Sequence, residues 1–141
     1  MFYLDTSALV PLFVNEPRSA AMSAWYAKAK GELVCAVWAV TEFASALGIK
    51  QRTGQLDAQQ AKAAWARFGR MAASDLRLLP LEHAHFHRAA ELTLDASSSL
   101  RAGDALHLAC AEHAGARHMV TFDDVLSRNA KHLKIRPVVF A

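Results

Sequence analysis

The chain is poor in cysteine, glycine, proline and charge. Two cysteines among 141 residues are too few for the disulfide framework of a small secreted domain. Cys35 and Cys110 sit in apolar runs and read as buried free thiols, which makes a reducing cytoplasm the simplest location. With six glycines and four prolines, no linker, internal repeat or low-complexity tract interrupts the chain. Charged residues are 21% of the total against 53% hydrophobic, a balance that suits a folded globule and excludes a disordered tail. Long uncharged runs are missing too, so no membrane helix is expected. The opening MFYLDTSALVPLFV has no basic flank and is broken by Asp5 and Pro11, which argues against a signal peptide. A chain of this length is expected to form one domain, residues 1–141, with a core that needs no staple.

Net charge is +3, from 16 Lys and Arg against 13 Asp and Glu. Alone this reads as an ordinary soluble surface. It changes meaning if four acids share a pocket, because nine acids then remain against 16 basic side chains. An acidic pocket in a basic body suits a metal site that must attract a phosphate backbone.

Short apolar segments alternate with helical ones. Strands are predicted at 2–5, 33–37, 77–80, 118–121 and 136–140. Helices are predicted from Thr6 or Ser7 as cap to Val14, from Pro17 to Lys30, over 39–53, from an Asp57 cap to Ala73, and over 82–96, 101–114 and 123–132. This order gives an α/β/α sandwich on a mostly parallel sheet. Ligands of such sheets bind at the carboxyl ends of the strands. Asp5 closes the first strand, Glu42 lies near the start of the helix after the second, and Asp123 follows the fourth.

Three acids stand alone in apolar surroundings. Asp5 is the one charged residue of 1–15, Glu42 of 33–49, and Asp104 of 102–111 with His107 counted as neutral. A buried carboxylate needs a partner. These segments offer few basic residues, whereas one divalent cation serves several acids, and hard oxygen ligands favour Mg²⁺ or Mn²⁺. Each acid also has a plainer reading. Asp5 can cap the following helix, Glu42 can lie on an exposed stripe, and Asp104 can complement its helix dipole. Either Asp123 or its neighbour Asp124 can be an N-cap. His83 and His87, four apart beside His85, form a possible chelating pair but read as helix-surface histidines. Trp25, Trp38 and Trp65 read as core or interface residues. Lys50, Arg52 and Arg101 flank the acidic segments and offer backbone contacts, with solvated charge the plainer reading.

The segments FYLDTSALVPLF, AVTEFASAL, RAGDALHLACA and MVTFDDVLSRNA resemble, in order, the four motif regions of PIN-domain nucleases, and in particular the VapC-type toxins of bacterial toxin–antitoxin pairs. The resemblance implies strand order 3-2-1-4-5 and an acidic pocket for Mg²⁺ or Mn²⁺. It implies Asp5, Glu42, Asp104 and Asp123 as metal-holding and catalytic acids, with Ser7 and Thr121 supporting them. The implied activity is hydrolysis of RNA by metal-activated water, leaving a 5′-phosphate and a 3′-hydroxyl. A cognate antitoxin and a homodimer are the implied partners, with helices near 17–30 and 57–73 as candidate surfaces. A PIN nuclease of RNA processing and a catalytically silent binding module are the alternatives. A phosphatase with Asp5 as nucleophile is disfavoured, because the second acid it needs two residues later is Ser7.

Overall fold

Alternation of side chains along very short strands decides the layering. In β1 (Phe2–Leu4), Tyr3 faces one side of the sheet while Phe2 and Leu4 face the other. In β2 (Leu33–Ala36), Val34 and Ala36 join Tyr3, and Leu33 and Cys35 join Leu4. Met119 and Val120 of β4 (His118–Val120) divide in the same way. Two apolar faces demand two helical layers. The computed structural model describes residues 1–140; Ala141 of the expected 1–141 domain lies outside the described residues.

One face is covered by α1 (Thr6–Phe13), α2 (Ser19–Lys28), α3 (Trp38–Arg52) and α4 (Ala58–Ser74). The core there centres on Leu9, Met22, Phe43 and Phe68, with the Phe43 and Phe68 rings stacked at 4.3 Å. The other face is covered by α5 (His83–Leu94), α6 (Ala102–Ala114) and α7 (Asp124–His132). Arg88 ties α5 to α6 through a two-pronged bond to Glu112, at 2.7 and 3.1 Å. Together with β3 (Leu76–Leu79) and β5 (Arg136–Pro137), the described strands form a parallel sheet of order β3-β2-β1-β4-β5. The three-layer architecture and the strand order expected from the sequence are both present.

Most departures from the expected elements lie at their ends. Asp5, rather than Thr6 or Ser7, caps α1 by accepting from the Ala8 amide at 3.3 Å. Pro17 does not open α2, which begins at Ser19; the Ser19 hydroxyl donates to the Val14 carbonyl and accepts from the Glu16 amide. The last strand shortens to two residues, with Pro137 on the sheet edge where a missing N–H costs least. His85 is buried rather than on the surface, because its Nδ1 accepts from the Glu82 amide at 2.8 Å and completes a capping box. His83 and His87 are exposed, as expected. Cys35 and Cys110 are buried free thiols.

Asp57 caps α4 by accepting from the Gln60 amide at 2.7 Å, and the Gln60 side chain returns the bond to the Asp57 amide at 2.9 Å. Both residues are exposed and distant in sequence from the acidic segments. Asp57→Ala should therefore lower stability by about 1 kcal/mol without touching the sheet edge. Urea unfolding checks this, with an unchanged m-value expected.

Candidate active site

Parallel strands end on one edge, so residues that follow β1, β2 and β4 come together there. Asp5 follows Leu4 directly and is only 4% exposed. Its Oδ1 accepts from the Ser7 hydroxyl at 2.7 Å as well as from the Ala8 amide. Ser7 lies 3.2 Å from the Thr121 hydroxyl and accepts from the Phe122 amide at 2.9 Å. The two hydroxyl residues thus stitch the end of β1 to the end of β4. Thr121 Oγ1 also accepts from the Asp123 amide at 3.0 Å. Asp123 caps α7 by accepting from the Leu126 amide at 2.9 Å.

Glu42 lies one turn into α3, which starts directly after β2. Its Oε1 accepts from the Thr6 hydroxyl at 2.6 Å and contacts His107 Nε2. Asp104 lies in the first turn of α6. Gly103, beside it, lets this turn approach α3: a Cβ there would sit 3.2 Å from Glu42 Oε2 and 3.3 Å from Trp38 Nε1. That indole N–H is buried without a hydrogen-bond partner among the described residues.

The electrostatics record the crowding of acids. Burial raises the Asp104 pKa, and the Asp123 and Glu42 charges raise it further, against the opposing pull of His107 and Arg101. The Asp123 charge acts on Asp104, whereas Asp124 is exposed. Burial also lifts Asp5, to about 6, although His107 and hydrogen bonding from Ser7, Thr121 and the Ala8 amide pull it down. Burial acts on Glu42 in the same sense, but hydrogen bonding from His107, with help from Thr6, holds it below the usual range.

Among the described residues, none of the four acids pairs with Lys or Arg. No group of three or more His, Cys, Asp or Glu side chains among them forms a ready cage for a metal. The donor set nevertheless fits a hard cation. Mg²⁺ takes one or two carboxylates, keeps several waters and shares substrate phosphates rather than needing an all-protein cage. Like-charged oxygens gathered without a basic partner are what such an ion relieves.

The structure also adds residues that the sequence reading left out. Thr6 and His107 hold Glu42, and Tyr3 holds His107. A signal for His107 was present: it stands three residues after Asp104, hence on the same helix face, in an otherwise apolar run. Of the basic residues noted earlier, Lys50 pairs with Glu16 at 2.6 Å, whereas Arg101 and Arg52 are exposed.

Residues 2–132 match the model of the PIN domain family, and the chain belongs to that family, whose members are nucleases. No curated protein matches the sequence. Solved structures share the fold. The Mycobacterium tuberculosis protein VapC20, described as a sarcin-ricin loop cleaving toxin, superimposes with a TM-score of 0.75 at 17% identity, covering 92% of this chain and 95% of that one. FitAcB from Neisseria gonorrhoeae gives 0.74 at 15% identity, over 99% and 97%. VapBC2 from Rickettsia felis, bound to a promoter DNA fragment, gives 0.67 at 14% identity, over the whole of both chains.

Two outcomes follow. Asp5 is charged at neutral pH at the expense of folding, because its folded pKa of about 6 lies above the ordinary 3.8. The cost is absent below that lower value and complete above the higher one. Asparagine caps helices as well as aspartate does. In metal-free buffer at pH 7, Asp5→Asn should therefore raise stability by on the order of 2–3 kcal/mol. The gain should vanish as pH falls towards 4, read from denaturant unfolding in EDTA across pH. Gly103→Ala should favour the helix by at most about 1 kcal/mol yet displace Glu42. The expected result is a near-unchanged Tm with weakened divalent-metal binding, measured by calorimetric titration.

Proposed function

We propose that this chain is a divalent-metal-dependent endoribonuclease and the toxin of a toxin–antitoxin pair. What supports the reading is that Asp5, Glu42 and Asp123 follow β1, β2 and β4 at the carboxyl edge of the sheet, that the charges of Glu42 and Asp123 act on Asp104, and that none of the four acids pairs with Lys or Arg among the described residues. In this reading Asp5 and Asp104 are the main holders of Mg²⁺ or Mn²⁺, and Glu42 and Asp123 complete the site directly or through water. When bound, the cation supplies positive charge opposite the phosphate oxygens and acidifies water. Ser7 and Thr121 keep Asp5 aimed at the edge through the bonds described above. One of Glu42 and Asp123 takes the proton of the attacking water. Water adds to phosphorus as its proton passes to the carboxylate, the bond to the 3′-oxygen breaks, and that oxygen takes up a proton from solvent, giving a 5′-phosphate and a 3′-hydroxyl.

The toxin assignment draws on the company the fold keeps. VapC20 is described as a toxin that cleaves the sarcin-ricin loop, and VapBC2 and FitAB are complexes solved with DNA. By analogy, an antitoxin protein binds this chain and covers the acidic edge. A groove of about 460 Å³ beside α1 and α4, lined by Phe13, Leu56, Ala64 and Arg67, suits an amphipathic segment of such a partner. A homodimer is part of the same reading. An apolar groove of about 550 Å³ between α5 and α6, beside the exposed Phe86 and Leu94, favours it. No helix among the described residues is long and apolar enough to cross a membrane, in keeping with action on cytoplasmic RNA.

The test is cleavage of single-stranded RNA by the purified protein with Mg²⁺, with and without EDTA. Cleavage should require the metal, and Asp104→Asn should lower the rate at least about 100-fold with an unchanged circular dichroism spectrum. Undiminished cleavage by that variant overturns the site; a wild-type protein that binds RNA without cutting it favours the silent binding module.

A further inference from the structure

The support of Glu42 belongs to a longer buried polar chain. It runs from Tyr3 on β1, through His107 on α6, to Glu42 on α3. Tyr3 is fully buried and His107 is 1% exposed. The Tyr3 hydroxyl accepts from the Ala36 amide at 3.0 Å and lies 2.7 Å from His107 Nδ1. The other ring nitrogen, Nε2, contacts Glu42 Oε1, which also accepts from Thr6 at 2.6 Å. A tyrosine hydroxyl has one proton. With the Ala36 amide donating to its oxygen, that proton is free to point at Nδ1, and the ring then carries its own proton on Nε2. Glu42 Oε1 so receives two donors, from separate secondary-structure elements, and its carboxylate plane is set. The other oxygen, Oε2, is directed towards Gly103, the residue before Asp104. His107 also stands within electrostatic reach of Asp5, Glu42 and Asp104, three of the four acids.

We propose that His107 is a positioning residue: oriented at Nδ1 by Tyr3, it donates its Nε2–H to Glu42 Oε1 and, with Thr6, fixes that carboxylate beside Asp104. The proposal rests on the nuclease reading for the purpose of the positioning, although the hydrogen-bond chain itself does not. A histidine with only a packing role would tolerate an apolar replacement of similar volume. A positioning residue would not, and a side chain that restores the donor would rescue it. Glutamine places an amide N–H close to where Nε2–H stands; leucine fills the space without a donor.

Three measurements test this on the full chain. Long-range ¹H–¹⁵N NMR of the metal-free wild-type protein should find the proton on Nε2 of His107. Titration with Mn²⁺ alone, read by electron paramagnetic resonance, should show His107→Leu binding about tenfold more weakly and His107→Gln near wild type. On RNA with Mg²⁺, His107→Leu should lose about tenfold in kcat with KM little changed, and His107→Gln should recover most of the loss. An unprotonated Nε2, a leucine variant with wild-type Mn²⁺ affinity, or a glutamine variant as impaired as leucine overturns the proposal. Should the leucine variant not fold, Tyr3→Phe decides: the Nε2–H signal should shift and broaden as the ring loses its support, and an unchanged spectrum overturns the role of Tyr3. A wild-type chain that cleaves no RNA defeats the nuclease reading, while the NMR and Mn²⁺ arms still decide the role of His107.

Discussion

Strand β1 is hydrogen-bonded on both sides, with Phe2 in register with Leu33 of β2 and with His118 of β4. Everything at the acidic edge depends on that double pairing. A parallel strand flanked on both sides has to be apolar on both faces, because helices cover each of them. The three residues of β1 meet that demand and leave Asp5 as the first residue able to reach the edge. Shifting β1 by one residue would exchange Tyr3 with Leu4 between the two cores and pull Asp5 into the sheet. The position of the carboxylate and the packing of two hydrophobic layers are therefore one constraint.

The same pairing explains why small hydroxyl residues matter here. Thr121 follows β4 directly and Ser7 lies three residues past β1, and their contact closes the gap between the strand ends. Ser7 accepts the Phe122 amide and Thr121 the Asp123 amide, so the chain leaving β4 is held by side chains rather than by continued ladder bonds. Asp5 and Asp123 are at once helix caps and members of the acidic group. The plainer reading of each is thus correct without excluding the functional one: a carboxylate has two oxygens, and in both residues the capping bond is made by Oδ1.

Family membership and site geometry bear on different questions. The match to the PIN domain family covers residues 2–132 and makes the chain a member of a nuclease family. The solved structures, at 14–17% identity, speak to the fold. The chemistry expected of this chain comes instead from its own residues. Among the described residues none of the four acids pairs with Lys or Arg, Asp104 is pushed up by burial and by Asp123 and Glu42, and Glu42 is held down by hydrogen bonds. Burial lifts the Asp5 pKa to about 6, so a charge at the edge of the sheet works against folding.

Much of this was legible from the sequence because local physics dictates it. Alternating strands and helices imply parallel pairing, and single acids in apolar runs of the chain mark positions where burial must be compensated. Asp57 begins a helix by a rule that needs no tertiary contact. The element ends were less legible, since whether Asp5, Thr6 or Ser7 caps α1 depends on what else needs those side chains. Thr6 is drawn to Glu42, 36 residues away, and Ser7 to Thr121, 114 residues away. His85 looked like a surface residue beside His83 and His87 until the Glu82 amide claimed it. The partnership of Tyr3, His107 and Glu42 joins three separate elements across more than 100 residues. The sequence determined which apolar stretches would form the core and which acids would need a partner, because hydrophobicity and charge are properties of the residues themselves. Only the tertiary structure decided which buried groups meet, because hydrogen bonds are short and directional and their partners are chosen by the packing of the whole chain.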